Sequence, residues 1–96
     1  MNTQELLANL KIDLGIVTTA YDQRLTALLD VAVKELEREG VSLSLSNGVY
    51  SDISDANLVI EYASYLWRKR DSGEGMPRML RWQINNRLFD MGSDSE

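Results

Sequence analysis

The sequence predicts an all-α fold: a compact bundle of about four helices, with a short extended or hairpin arm between helices two and three. Three observations carry this expectation. Apolar residues recur at helical spacing through most of the 96 residues. Glycines, the single proline and acidic capping residues cut that pattern into four segments. One stretch alone, residues 41–52, alternates with period two. A chain of this length suits one domain, taken as residues 1–91, with 92–96 (GSDSE) a disordered C-terminal tail.

The first helix is expected over about residues 3–14. Leu6, Leu7, Leu10 and Leu14 fall at helical spacing, and Gly15 suits the left-handed stop. The second is expected over about 20–39. Thr19 and Asp22 have the spacing of a capping box, and Gly40 ends the run. Tyr21, Leu25, Leu28, Leu29, Ala32, Val33 and Leu36 lie on one arc, with charges over most of the rest, so this is an amphipathic surface helix.

Residues 41–52, VSLSLSNGVYSD, place Val41, Leu43 and Leu45 alternately with serines, and Asn47-Gly48 is a hairpin-turn signal. A hairpin arm and an irregular surface loop are both compatible with that pattern. The third helix is expected over about 53–71, with Asp52 as N-cap and Asp55 in the first turn. Ala56, Val59, Ile60, Ala63, Leu66 and Trp67 form one face, and Leu58, Tyr62 and Tyr65 lie nearly opposite. Asn57, Glu61, Ser64 and Arg68 leave only a narrow polar stripe. A helix apolar around most of its circumference belongs at the centre of a bundle. The fourth helix is expected over about 77–91, with Pro77 at the first helical position and Gly92 after its end.

Composition removes several classes of chemistry. There is no cysteine, hence no disulfide or thiolate, and no histidine, hence neither the usual neutral-pH general base nor an imidazole metal ligand. No Gly-rich phosphate loop, calcium loop or nucleophile elbow occurs. The carboxylate pairs Asp52/Asp55 and Asp71/Glu74 read as a helix cap and a solvated linker. No enzyme activity and no cofactor is therefore expected. No apolar run approaches the ~20 residues needed to span a bilayer, and MNTQELLANL lacks the blocks of a signal peptide, so a soluble, intracellular chain without membrane partners is expected.

The charge is unevenly spread. The net charge is −5, yet six of the ten basic residues lie between 68 and 87, in a span with only two acids. The stretch YLWRKR, residues 65–70, resembles a nucleic-acid handle. On a helix, however, Arg68, Lys69 and Arg70 fan across roughly 200°, too wide for one groove. An acidic chain also works against the steering that phosphate binding uses. Three readings follow: a small DNA-binding regulator using helices three and four, cations placed near a helix C-terminus, or complementary charge between protein surfaces.

Helix four favours the last. Leu80, Ile84, Leu88 and Met91 form one apolar stripe; Met79, Trp82 and Phe89 form a second, well separated around the axis. A terminal helix in a small domain rarely buries two faces within one copy. One stripe is expected to close the core and the other to meet a neighbour, although a core that curls around both is the alternative. The expected subunit interface is Met79, Trp82 and Phe89, with the cations Arg68, Arg70, Arg78 and Arg81 setting orientation. Their counterpart would be the acidic residues of helix two: Asp30, Glu35, Glu37 and Glu39.

LKIDLGI, then a Thr/Asp-started amphipathic helix, an extended linker, LVIEYASYLWRKR and MPRMLRWQINNRLF together resemble the phage head–tail connector (adaptor) proteins of long-tailed phages and prophages, in particular their gp6-like group. The likeness covers about residues 5–90. It implies an all-α structural subunit, without turnover, that assembles into a ring, typically of twelve copies, beneath the portal protein. Such a ring extends the DNA channel and docks a stopper or tail-completion protein. Packaged DNA would pass through without sequence-specific binding, aided by the acidic surface. The implied location is the head–tail junction of the virion, with assembly in the host cytoplasm.

Overall fold

The computed structural model describes residues 2–43, 45, 46, 49–72 and 75–94, with the side chains of 45, 46, 70–72 and 90–94 left aside. Four helices and a two-stranded hairpin follow in the order α1 (Thr3–Leu14), α2 (Asp22–Arg38), β1 (Leu45–Ser46), β2 (Val49–Tyr50), α3 (Ile53–Ser72) and α4 (Arg78–Asp94). The all-α bundle expected from the sequence is the fold.

Helix α1 starts with a reciprocal cap. The Asn2 side chain accepts from the Glu5 N–H at 2.8 Å, and the Glu5 carboxylate accepts from the Asn2 N–H at 3.2 Å. Two orphan donors are thereby satisfied. Gly15, at φ 71°, ends the helix, and the following Ile16 N–H donates back to the Lys11 carbonyl at 2.9 Å.

At the start of α2 the structure departs from the expected Thr19–Asp22 box. Thr18 Oγ1 accepts from the Ala20 N–H at 3.2 Å, while the Asp22 N–H donates to the Thr19 backbone carbonyl. The Asp22 carboxylate turns instead to Lys11 Nζ at 2.8 Å, tying the end of α1 to the start of α2. Helix α2 starts only at Asp22, with Tyr21 as its N-cap and no side-chain cap, so Thr19 and Asp22 do not occupy the two positions a capping box needs. Leu25, Leu29, Ala32 and Leu36 form the buried face of α2. Its end is a double closure: Gly40 N–H donates to Glu37 O and Val41 N–H to Leu36 O, both at 3.0 Å, with Gly40 at φ 102°. Val41 is thereby directed into the core.

Strands β1 and β2 pair antiparallel, Leu45 opposite Tyr50 and Ser46 opposite Val49, with a further bridge from Val49 to Asn2. The Asn47-Gly48 turn lies outside the described residues. Two-residue strands have no stability of their own. Here they are held because Tyr50 and Val41 are buried and Leu43 packs on the core, so the segment lies against the body rather than standing off it.

Asp52 caps α3 by accepting from the Ser54 N–H at 2.8 Å. Helix α3 packs against α1, α2, α4 and β2 and is the central element. Ala56, Leu58, Val59, Ile60, Tyr62 and Ala63 are all buried. Each of the larger ones contributes about 1.5–3 kcal/mol by leaving water. The expected polar stripe is narrower still: Asn57, Glu61 and Arg68 are exposed, but Ser64 is buried. An edge-on contact of Tyr21 with Trp67, centroids 5.4 Å apart, joins the start of α2 to the far end of α3.

Helix α4 begins once Pro77 has supplied its carbonyl to the Arg81 N–H at 3.1 Å. It does not stop at Gly92 as expected. Helical geometry continues to Asp94, into the stretch expected to be a disordered tail. Among the described residues the glycines in the left-handed conformation are Gly15 and Gly40, so Gly92 does not supply that stop. A glycine inside a helix costs only about 1 kcal/mol, too little to force an end. Residues 95 and 96 lie outside the described residues.

Replacing Gly40 by Ala should lower the unfolding free energy by about 1–2 kcal/mol, because an L-residue is strained at that positive φ. Gly75, with no atom close enough to crowd an added methyl group, should tolerate Ala without loss. Urea denaturation of the two variants checks the contrast.

Candidate interaction surface

The two stripes of α4 separate as their spacing suggested. Leu80 and Ile84 are buried and Leu88 packs partly against the core. On the other side Met79, Trp82 and Phe89 are exposed to 66%, 61% and 72%. The Met91 side chain lies outside the described ones.

A buried ion pair sets this rotation of α4. Arg87 Nε donates to Asp55 Oδ1 at 2.8 Å, and Arg87 Nη2 donates to Asp55 Oδ2 at 3.4 Å and to the Ser42 carbonyl at 2.9 Å. The Asp55 side chain is fully buried. One guanidinium thus ties α4 to the first turn of α3 and to the linker after α2. Sequence reasoning missed this. Asp55 has the position of an ordinary first-turn acid, and Arg87 lies 32 residues away. The available signal was an arginine in the gap between the two stripes of α4, on the side that proves to face the body.

The expected interface cations have different fates. Arg78 is exposed beside Met79 and Trp82. Arg68 is exposed and lines a groove with Asp13, Glu61 and Met79. The Arg70 side chain lies outside the described ones. Arg81 is engaged within its own chain. Its guanidinium donates to both oxygens of Glu39, at 2.6 and 3.4 Å, and this bond holds it more firmly protonated than an ordinary arginine. Arg38 likewise meets Glu35 at 3.0 Å. The acidic residues of α2 expected to receive a neighbour's cations are therefore half consumed at home. The cause is geometric: the end of α2 and the start of α4 adjoin, so Glu39 and Arg81 reach each other directly.

Two grooves flank the exposed stripe. One runs past Asn57, Glu61, Trp82 and Asn86; the other past Glu61, Ser64, Arg68 and Met79. Glu61 lines both, and Met79 and Trp82 form an apolar ridge alongside. Among the described residues no group of three or more acidic side chains stands together to hold a metal ion, and no helix is long and apolar enough to cross a membrane.

Burial holds the hydroxyls of Tyr50 and Tyr62 above the ordinary tyrosine range. Glu37, Asp55 and Asp30 add to the effect at Tyr50. Glu35 and Glu39 add to it at Tyr62, where Arg81 partly opposes.

Arg87→Met, which strands a buried carboxylate, should cost about 3–5 kcal/mol, whereas Arg81→Met, at a partly exposed pair, should cost at most about 1 kcal/mol. Chemical denaturation of both variants measures the difference. The folded chain also keeps tyrosine protons that an unfolded chain releases near 10.0. Stability should thus be full below that pH and fall as pH climbs through the raised values. Tyr50→Phe should flatten the fall in alkaline melting curves. No family model, curated protein or solved structure matches the chain.

Proposed function

We propose that this chain is a structural subunit of a phage or prophage head–tail connector, one copy of a ring that sits beneath the portal. In that role it extends the DNA channel and gives the stopper or tail-completion protein a platform. The observation that carries the proposal is the outward stripe of Met79, Trp82 and Phe89, on a helix whose opposite stripe already closes the core. The resemblance of about residues 5–90 to the connector proteins supplies the specific assignment, and the all-α fold is compatible with it.

Complete burial of the three side chains would contribute roughly 5–8 kcal/mol before association costs. That predicts weak self-association in dilute solution, strengthened when a portal ring gathers the copies. The net charge of −5 suits a channel wall along which DNA slides. The competing reading, a DNA-binding regulator, loses force because Arg81 and Arg87 are held by Glu39 and Asp55.

The test is sedimentation of the purified chain from micromolar to millimolar concentration, with and without a purified phage portal ring. Association should rise with concentration and with portal. Trp82→Ala and Phe89→Ala should each weaken it about tenfold or more while leaving the melting temperature within a few degrees. Salt-sensitive retention on duplex DNA, without association with itself or the portal, would overturn the proposal.

A further inference from the structure

Two unlike surfaces of this chain complement one another. The first is the valley made by the two grooves beside α4. Its floor carries the exposed residues Asn57 and Glu61 of α3, and its wall is the Met79–Trp82 ridge. Among the described ion pairs none engages Glu61. The second surface is the outer side of α2. Ala27, Val31 and Lys34 are all exposed, at spacings of four and three residues that align them along the helix. This line lies opposite the buried Leu25–Leu29–Leu36 face. Lys34 also has no partner among the described ion pairs.

We infer that the α3–α4 valley receives the outer face of α2 from a second copy, with Lys34 of the incoming copy meeting Glu61 and Val31 packing beside Trp82. This rests on reading the chain as a self-assembling subunit and names the surface that assembly uses. Size agrees. Helix α2 has 17 residues and so is about 25 Å long, more than the roughly 16 Å between Asn57 and Arg68 along α3. Shape agrees too, because Ala27 lets the incoming backbone approach closely and Val31 offers a compact apolar knob. The two surfaces differ, so each copy can give one and receive the other. Such a head-to-tail contact propagates from copy to copy instead of closing as a symmetric pair. It also assigns the carboxylate–cation match to Glu61 and Lys34, not to Arg81 and Glu39, which satisfy each other within one chain.

A charge exchange tests this, using the full chain and sedimentation velocity at a concentration where the wild type associates. Glu61→Lys alone should weaken association about tenfold or more, as should Lys34→Glu alone, because each places like charges in the contact. An equimolar mixture of the two variants should recover association well beyond that of either alone, since contacts between unlike copies can then join opposite charges. Two misfolded proteins would not rescue each other in this way. If the wild type assembles but either variant alone assembles equally well, or the mixture fails to recover, the inference is overturned and the assembly reading stands. A symmetric dimer indifferent to both changes also overturns it. A wild type that stays monomeric throughout and on the portal overturns both.

Discussion

A carboxylate cannot remain ionised in a protein interior without a cation, and Asp55 imposes that requirement on the whole fold. Its partner, Arg87, comes from α4, and the same guanidinium also satisfies the Ser42 carbonyl. Three segments distant in sequence are joined at one point. Once Arg87 is fixed, the rotation of α4 about its axis is fixed as well. Leu80 and Ile84 then turn inward, and Met79, Trp82 and Phe89 turn outward.

The rest of the fold is arranged around α3. Its apolar residues occupy nearly the whole circumference, and α1, α2, α4 and β2 cover it from different sides. Among the described residues nothing covers the outer stripe of α4, so Met79, Trp82 and Phe89 stay exposed while Leu80 and Ile84 close the core. Several cations are spent on internal ties: Lys11 to Asp22, Arg38 to Glu35, Arg81 to Glu39 and Arg87 to Asp55. On α4 both Arg81 and Arg87 lock the chain's own elements, so the surface this helix leaves beside Arg78 is more apolar than cationic.

Local periodicity made the helices and their roles legible. The spacing of Leu6 and Leu10, the Gly15 and Gly40 stops, the all-round apolarity of α3 and the two stripes of α4 are all properties of neighbouring residues. Contacts between distant residues were not legible. Asp55 has the position of a first-turn acid, and nothing near it names Arg87 as its partner. Glu39 and Arg81 sit 42 residues apart and look like surface charges of opposite sign until the bundle brings them together. The Thr19–Asp22 box failed because α2 starts only at Asp22, whose carboxylate pairs with Lys11 on another helix. Gly92 was misleading in a different way: a glycine permits a helix to stop without compelling it.

Self-assembly through α4 requires Trp82 to stand in water in the lone subunit and to be covered once copies associate. Fluorescence of the single-tryptophan variant Trp67→Phe, followed across protein concentration, reports this directly. The expected result is red-shifted, readily quenched emission at high dilution, shifting to the blue with loss of quenching as copies associate. Blue-shifted emission already shielded at high dilution and unchanged by concentration would contradict it.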